Sequence, residues 1–158
     1  MIELKAFEPD MQPEIEAFFA RCFVGLGWEY QPHGRHSDIL NVWDAYMRNG
    51  CVWCLYRDGE MIGTVAIYTF TEEPRTAEIK RLYVLREHHG NGYGALLFER
   101  ALQYAREEGY QTVYLDSRGE RTAALHLFRK HGFTEIPKYN HNDYAELFFK
   151  LELRQQAP

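Results

Sequence analysis

The residues best suited to chemistry lie in one stretch, Lys80 to Leu97: K-R-L-Y-V-L-R-E-H-H-G-N-G-Y-G-A-L-L. An extended run meets three alternating glycines, Gly90, Gly92 and Gly94, and passes directly into an amphipathic helical pattern. Glycines at such a junction let the backbone turn tightly and let a ligand approach with no side chain in the way. The free N–H groups of a helix N-terminus, with roughly +0.5 charge from the helix dipole, favour an anion such as phosphate. Two phosphate-loop patterns do not fit. G-x4-G-K-[ST] fails because position 95, where its second glycine would stand, is Ala95, and no Lys-Ser/Thr follows. G-x-G-x-x-G fails because the spacing is G-x-G-x-G. That loop also belongs after the first strand of a parallel sheet, and here several extended runs precede it.

Other reactive residue types are scattered. Cys51 and Cys54 spell C-x-x-C, but on a strand they face opposite sides, and no second pair supports zinc or redox use. His33 and His36 fall in a loop with poor metal spacing, so no metal is expected. Three cysteines form no disulfide framework, which points to a reducing, cytoplasmic setting. The net charge of −5 gives no cationic surplus for a nucleic-acid backbone. No apolar run approaches the roughly 18–20 residues of a membrane helix, and MIELKAFEPD places charges where a signal peptide needs an apolar core.

The elements that must position the glycine stretch alternate along the chain. Residues 2–7 read as a strand, and Pro9-Asp10 open a helix with Ile15, Phe18, Phe19 and Cys22 on one face. A Gly- and Pro-rich loop spans 25–35. Ser37 can cap a second helix that sets Ile39, Val42, Trp43 and Tyr46 on one face and stops at Asn49-Gly50. Runs 51–56 and 61–70 flank Asp58-Gly59, a two-residue hairpin signal. A third run, 76–85, leads into the glycines and a helix over about 93–108. Then come a strand at 112–116, a helix at 121–131, and strands at 133–136 and 146–153. The order predicts an α+β (mixed α/β) domain over 1–153, with 154–158 as a frayed tail.

In combination these segments resemble the GNAT superfamily of N-acetyltransferases. Residues 78–97 are similar to its motif A, whose loop reads [Q/R]-x-x-G-x-[G/A]. R-T-A-A-L-H-L-F-R-K-H-G-F at 121–133 is similar to its motif B, and Y-N-H-N-D-Y-A-E-L-F-F-K-L-E-L to its last strand pair. Three positions depart from the pattern: His89 opens the loop in place of Gln/Arg, Arg121 stands for Asn, and Phe128 for Tyr.

The resemblance implies a mostly antiparallel twisted sheet of about seven strands with a splayed parallel pair, flanked by about four helices. It implies acetyl-CoA as co-substrate and a primary amine as acceptor, either a small molecule or a protein amino group. Leu82, Tyr83 and Val84 would offer backbone to the pantetheine arm, with the Val84 N–H at the thioester oxygen. His89, Gly90, Asn91, Gly92, Tyr93 and Gly94 would wrap the pyrophosphate, and Arg121 and Phe128 would border the adenylate or thiol. Glu78 is the candidate base. Phe128 cannot protonate a departing thiolate as the family's Tyr does, so Tyr139 and Tyr144 are candidate acids. The same deficit leaves open a catalytically weak acyl-CoA-binding regulatory or interaction module. The final hairpin is a candidate homodimer contact.

Overall fold

A computed structural model describes residues 1–153; the expected tail at 154–158 lies outside the described residues. The strands are β1 (Ile2–Ala6), β2 (Gly50–Arg57), β3 (Glu60–Thr69), β4 (Thr76–Val84), β5 (Thr112–Ser117), β6 (Thr134–Ile136) and β7 (Leu147–Glu152). The regular helices are α1 (Gln12–Leu26), α2 (Tyr93–Glu107) and α3 (Thr122–Lys130). All seven strands form one sheet in the order β1-β2-β3-β4-β5-β7-β6, and its one parallel pair is β4 with β5. The expected fold class and strand count are what the structure has.

Local chemistry explains most boundaries. Asp58 and Gly59 both adopt positive φ, 50° and 83°, as the tight β2–β3 hairpin requires. Gly27 closes α1 in the left-handed conformation at φ 74°. β2 and β3 are buried along nearly their whole length. Leu97 of α2 packs against Gly63 on one face of the sheet, while Phe19 of α1 packs against Tyr83 on the other. The helices thus seal both faces, and a strand covered on both sides reads as a continuous apolar run.

Two local expectations are corrected. The second helix is a 3-10 turn (Ser37–Asn41) running into a wide π-helical turn (Trp43–Met47). The changing pitch buries Ile39, Val42 and Tyr46 but turns Trp43 out to 40% exposure. Gly50 does not stop that helix; it starts β2 opposite Tyr68. A Cβ there would lie 2.0 Å from the Ile67 carbonyl oxygen, so the glycine is required by close backbone approach.

The loop before the 3-10 turn is pinned by His36, which is 3% exposed and lies 4.6 Å from the Phe23 ring, centroid to centroid. The Gln31 backbone N–H donates to His36 Nδ1 at 2.9 Å, which requires an unprotonated Nδ1. Burial, then the Arg81 and Arg35 charges, push the imidazole pKa down to about 4 against a weaker pull from Asp38.

Two outcomes follow from these contacts. Gly50→Ala should destabilise the chain by about 1–3 kcal/mol, the usual range for overpacking, measured by denaturant unfolding. Because unfolded His36 takes up a proton near pH 6.5 and folded His36 only near 4, its contribution is whole above pH 6.5 and lost as pH falls towards 4. Thermal melts should show that slope in the wild type and a flatter one in His36→Gln.

Candidate active site

The site begins where two strands part. β4 and β5 pair in register from Thr76↔Thr112 to Ile79↔Leu115 and then diverge. One residue later Lys80 Nζ donates to Asp116 Oδ2 at 2.9 Å, bridging the base of the opening. A β-bulge lies just beyond: Ala66 pairs with Lys80 but Thr64 pairs with Tyr83, leaving one extra residue on β4. Arg81 takes the strain at φ 55°, and the Thr64 hydroxyl donates to its carbonyl at 2.8 Å. The extra residue changes the side-chain alternation, so Glu78, Lys80 and Tyr83 come to one face, the face that α1 covers.

Beyond the bulge the backbone parity sets what faces the cleft. The Leu85 N–H donates to Ile62 on β3, so the N–H and C=O of Leu82 and Val84 point away from β3, into the opening. No strand meets them there. The Leu82 carbonyl instead accepts from Arg121 Nη2 at 2.6 Å, and the Val84 carbonyl accepts from His89 Nε2 at 2.7 Å. Tyr83 turns its backbone to β3 and gives the cleft its ring, on which the Arg121 guanidinium stacks at 4.5 Å. This alters the expected role of Tyr83 from backbone to side chain.

The cleft holds about 300 Å³ and also reaches Trp28, Arg35, Asp38 and Tyr144. At the loop itself, Gly90 and Gly92 adopt positive φ, and a Cβ on Gly90, Gly92 or Gly94 would meet nothing within 4 Å. The first intrahelical bond of α2 runs from Leu96 to Gly92, and no side chain caps the turn. The N–H groups of Tyr93, Gly94 and Ala95 therefore stand without intrahelical partners, beside open space, an arrangement that favours an anion. Asn91 braces the loop, donating to the His88 carbonyl at 3.1 Å.

Glu78 is 2% exposed and receives three donors: the Tyr68 hydroxyl, the Tyr139 hydroxyl at 2.5 Å and Asn140 Nδ2 at 3.0 Å. Burial first, and then the Glu78 charge, push both phenols far up, so they keep their protons. Two residues singled out separately in the sequence, Glu78 and Tyr139, are thus direct partners. Tyr139 accordingly lies on Glu78 and not in the main cleft, whereas Tyr144 lines it. Phe128 borders the cleft too, packed 5.3 Å from Phe98 and 5.8 Å from Phe149. Glu78 borders a second cleft, which shares Lys80 and Asn142 with the first.

Several site residues were not foreseen. Asp116 lines the main cleft and accepts from Asn140 at 2.7 Å and Asn142 at 3.2 Å as well as from Lys80. Its one sequence signal was an acidic residue ending an otherwise apolar strand, beside the polar run Y-N-H-N-D-Y. Arg81 is committed to Asp38 through two bonds of 2.9 and 2.7 Å. Burial alone would raise the Asp38 carboxyl, but the Arg81 guanidinium outweighs it and holds the carboxyl below the usual range. Among the described residues no group of three His, Cys, Asp or Glu side chains comes together to hold a metal.

Comparison with known proteins agrees with this geometry. The chain matches a Xenopus tropicalis protein with an N-acetyltransferase name, camello, at 29% identity over 75% of this chain and 57% of that protein's length. The chain thus spans little more than half of such relatives. A GNAT-family acetyltransferase from Staphylococcus aureus superposes with a TM-score of 0.88 at 15% identity, covering 98% of this chain and all of the other. A Salmonella typhimurium structure, described as an acetyltransferase with its cofactor acetyl-CoA, gives a TM-score of 0.76 at 18% identity, covering all of this chain and 97% of the other. Residues 13–133 match the family model "Acetyltransferase (GNAT) family", and the chain belongs to that family.

Proposed function

We propose that this chain moves an acetyl group from acetyl-CoA to a primary amine, of a small molecule or a protein, with both substrates held in one complex. The observation that carries the reading is the cleft beyond Ile79 and Leu115, where the backbone of Leu82 and Val84 turns away from β3 and is met by side chains instead of a strand among the described residues. Acetyl-CoA supplies a thioester: the amine nitrogen bonds to its carbonyl carbon, the carbon–sulfur bond breaks, and the sulfur leaves with the electron pair as thiolate.

The chain's own groups do the rest. The Val84 N–H holds the thioester oxygen as negative charge develops on it. The glycine loop, with His89 and Asn91, holds the pyrophosphate against the start of α2. Arg121 and His89 now occupy the Leu82 and Val84 carbonyls and give way to the ligand's own amides. The arriving ammonium must lose a proton, and Glu78 receives it directly or through a water where the two clefts meet. A second reading gives this role to Asp116, favoured by its place in the main cleft wall. Tyr144, one of the phenols lining that cleft, returns a proton to the thiolate. A thiol with a free pKa of about 8.5 is in any case a tolerable leaving group.

Two experiments test these assignments. Gly92→Glu should abolish measurable CoA binding by calorimetry, because bulk and negative charge enter the pyrophosphate cradle; unchanged affinity in a folded variant would remove the loop from the site. Glu78→Gln should lower the acetylation rate about 10²-fold, mainly below the acceptor's pKa, where the amine arrives protonated. A wild-type pH–rate profile in Glu78→Gln, with a depressed one in Asp116→Asn, would transfer the base role to Asp116.

A further inference from the structure

Charge is spread unevenly over this protein. The chain carries a net −5, yet the walls of the main cleft set five cationic side chains against two carboxylates. Asp38 is taken up by Arg81 and Asp116 by Lys80. Arg121 donates to the Leu82 carbonyl, and Arg118 has the Glu120 carboxylate as an ion-pair partner at 3.2 Å, although its Nε makes no hydrogen bond. Arg35 is left over. Among the described residues no carboxylate or hydrogen-bond acceptor meets its guanidinium, and its Nε is buried without a partner.

Arg35 is nonetheless held in place. Its guanidinium carbon lies 4.0 Å from the centroid of the Tyr144 ring. Stacking uses the face of the group and leaves the N–H edge free for an acceptor in its plane. A buried guanidinium nitrogen with an unmade hydrogen bond is costly unless a ligand completes it. The neighbouring His36 is buried and neutral and supplies no counter-charge. The pyrophosphate of CoA is not the missing anion, because no residue of the glycine loop assigned to it, from 86 to 94, lines the cleft that Arg35 lines. The charge must arrive with the acceptor. One free fork matches the planar shape and single charge of a carboxylate.

We infer that the acceptor amine carries a carboxylate, which Arg35 receives edge-on while Tyr144 holds the guanidinium by its face. Arg35 is then a specificity-determining residue, and the acceptor class is the amino acids and other amines with a free carboxylate. The inference rests on the acetyl-transfer reading above, so its test includes a readout that needs no turnover.

The full chain, loaded with CoA, is titrated with a panel of L-amino acids, each beside its own carboxamide, by ligand-observed NMR. Thiol release from acetyl-CoA is followed on the same pairs. The amino acids that bind should do so about 10- to 100-fold more tightly than their carboxamides, the range set by a hydrogen bond to a charged group. Arg35→Met should bring that ratio towards one, Arg35→Lys should restore part of it, and retained CoA binding shows that each variant is folded. Equal binding of both series, binding by neither, or an unchanged ratio in Arg35→Met would overturn the inference. Discrimination that depends on Arg35 without thiol release would instead overturn acetyl transfer and leave the carboxylate site standing.

Discussion

The arrangement of the site depends on the bulge at Arg81 and the ion pair that pins it. A non-glycine residue in the left-handed region costs on the order of 1–2 kcal/mol, so the conformation persists only where surroundings enforce it. Here the Thr64 hydroxyl holds the Arg81 carbonyl while Asp38 holds the side chain at two points. Removing either charge would strand the other in a largely buried position, the costly way to break such a pair. The pair also joins β4 to the 3-10 turn that carries Asp38, so two elements of the cleft wall are fixed by one contact.

That contact has consequences for parity. With one extra residue on β4, Glu78, Lys80 and Tyr83 share a face, and the backbone groups of Leu82 and Val84 face the cleft. The same irregularity coincides with the end of the β4–β5 pairing. Aromatic packing then holds the two sides rigid. Phe19, Phe23, Trp28 and Tyr83 form one cluster under the Arg35 side. Phe98, Phe128, Phe133 and Phe149 form another behind α3. The cleft lies between the two packed bodies, and Trp28, Tyr83 and Phe128 belong both to those bodies and to its wall.

The electrostatic pattern is that of a mostly satisfied polar network. Glu78 and Asp116 lie one strand apart, joined through Asn140, and Lys80 sits between them. Buried carboxylates this close need shared donors, and Tyr68, Tyr139, Asn140 and Asn142 supply them. Phe128 within an aromatic cluster shows why a phenol at that position was dispensable for folding: the ring fills apolar space that asks for no hydroxyl.

What the sequence determined by itself was whatever rests on local spacing. The Asp58-Gly59 hairpin, the glycine loop opening α2, the alternation of β7 and the order of elements all follow from short-range periodicity and turn chemistry, and the motif resemblance added the splayed pair and the family. The pitch of the Ser37–Met47 segment escaped, because mixed 3-10 and π turns follow tertiary packing and not a fixed period. Tertiary structure alone decided the contacts across long separations: Arg81 with Asp38, Glu78 with Tyr139, Asp116 with Asn142, and Arg35 left over beside Tyr144. Each depends on a strand register, and on one bulge, that no local pattern encodes. A single-residue slip there would send every one of these side chains to the other face of the sheet.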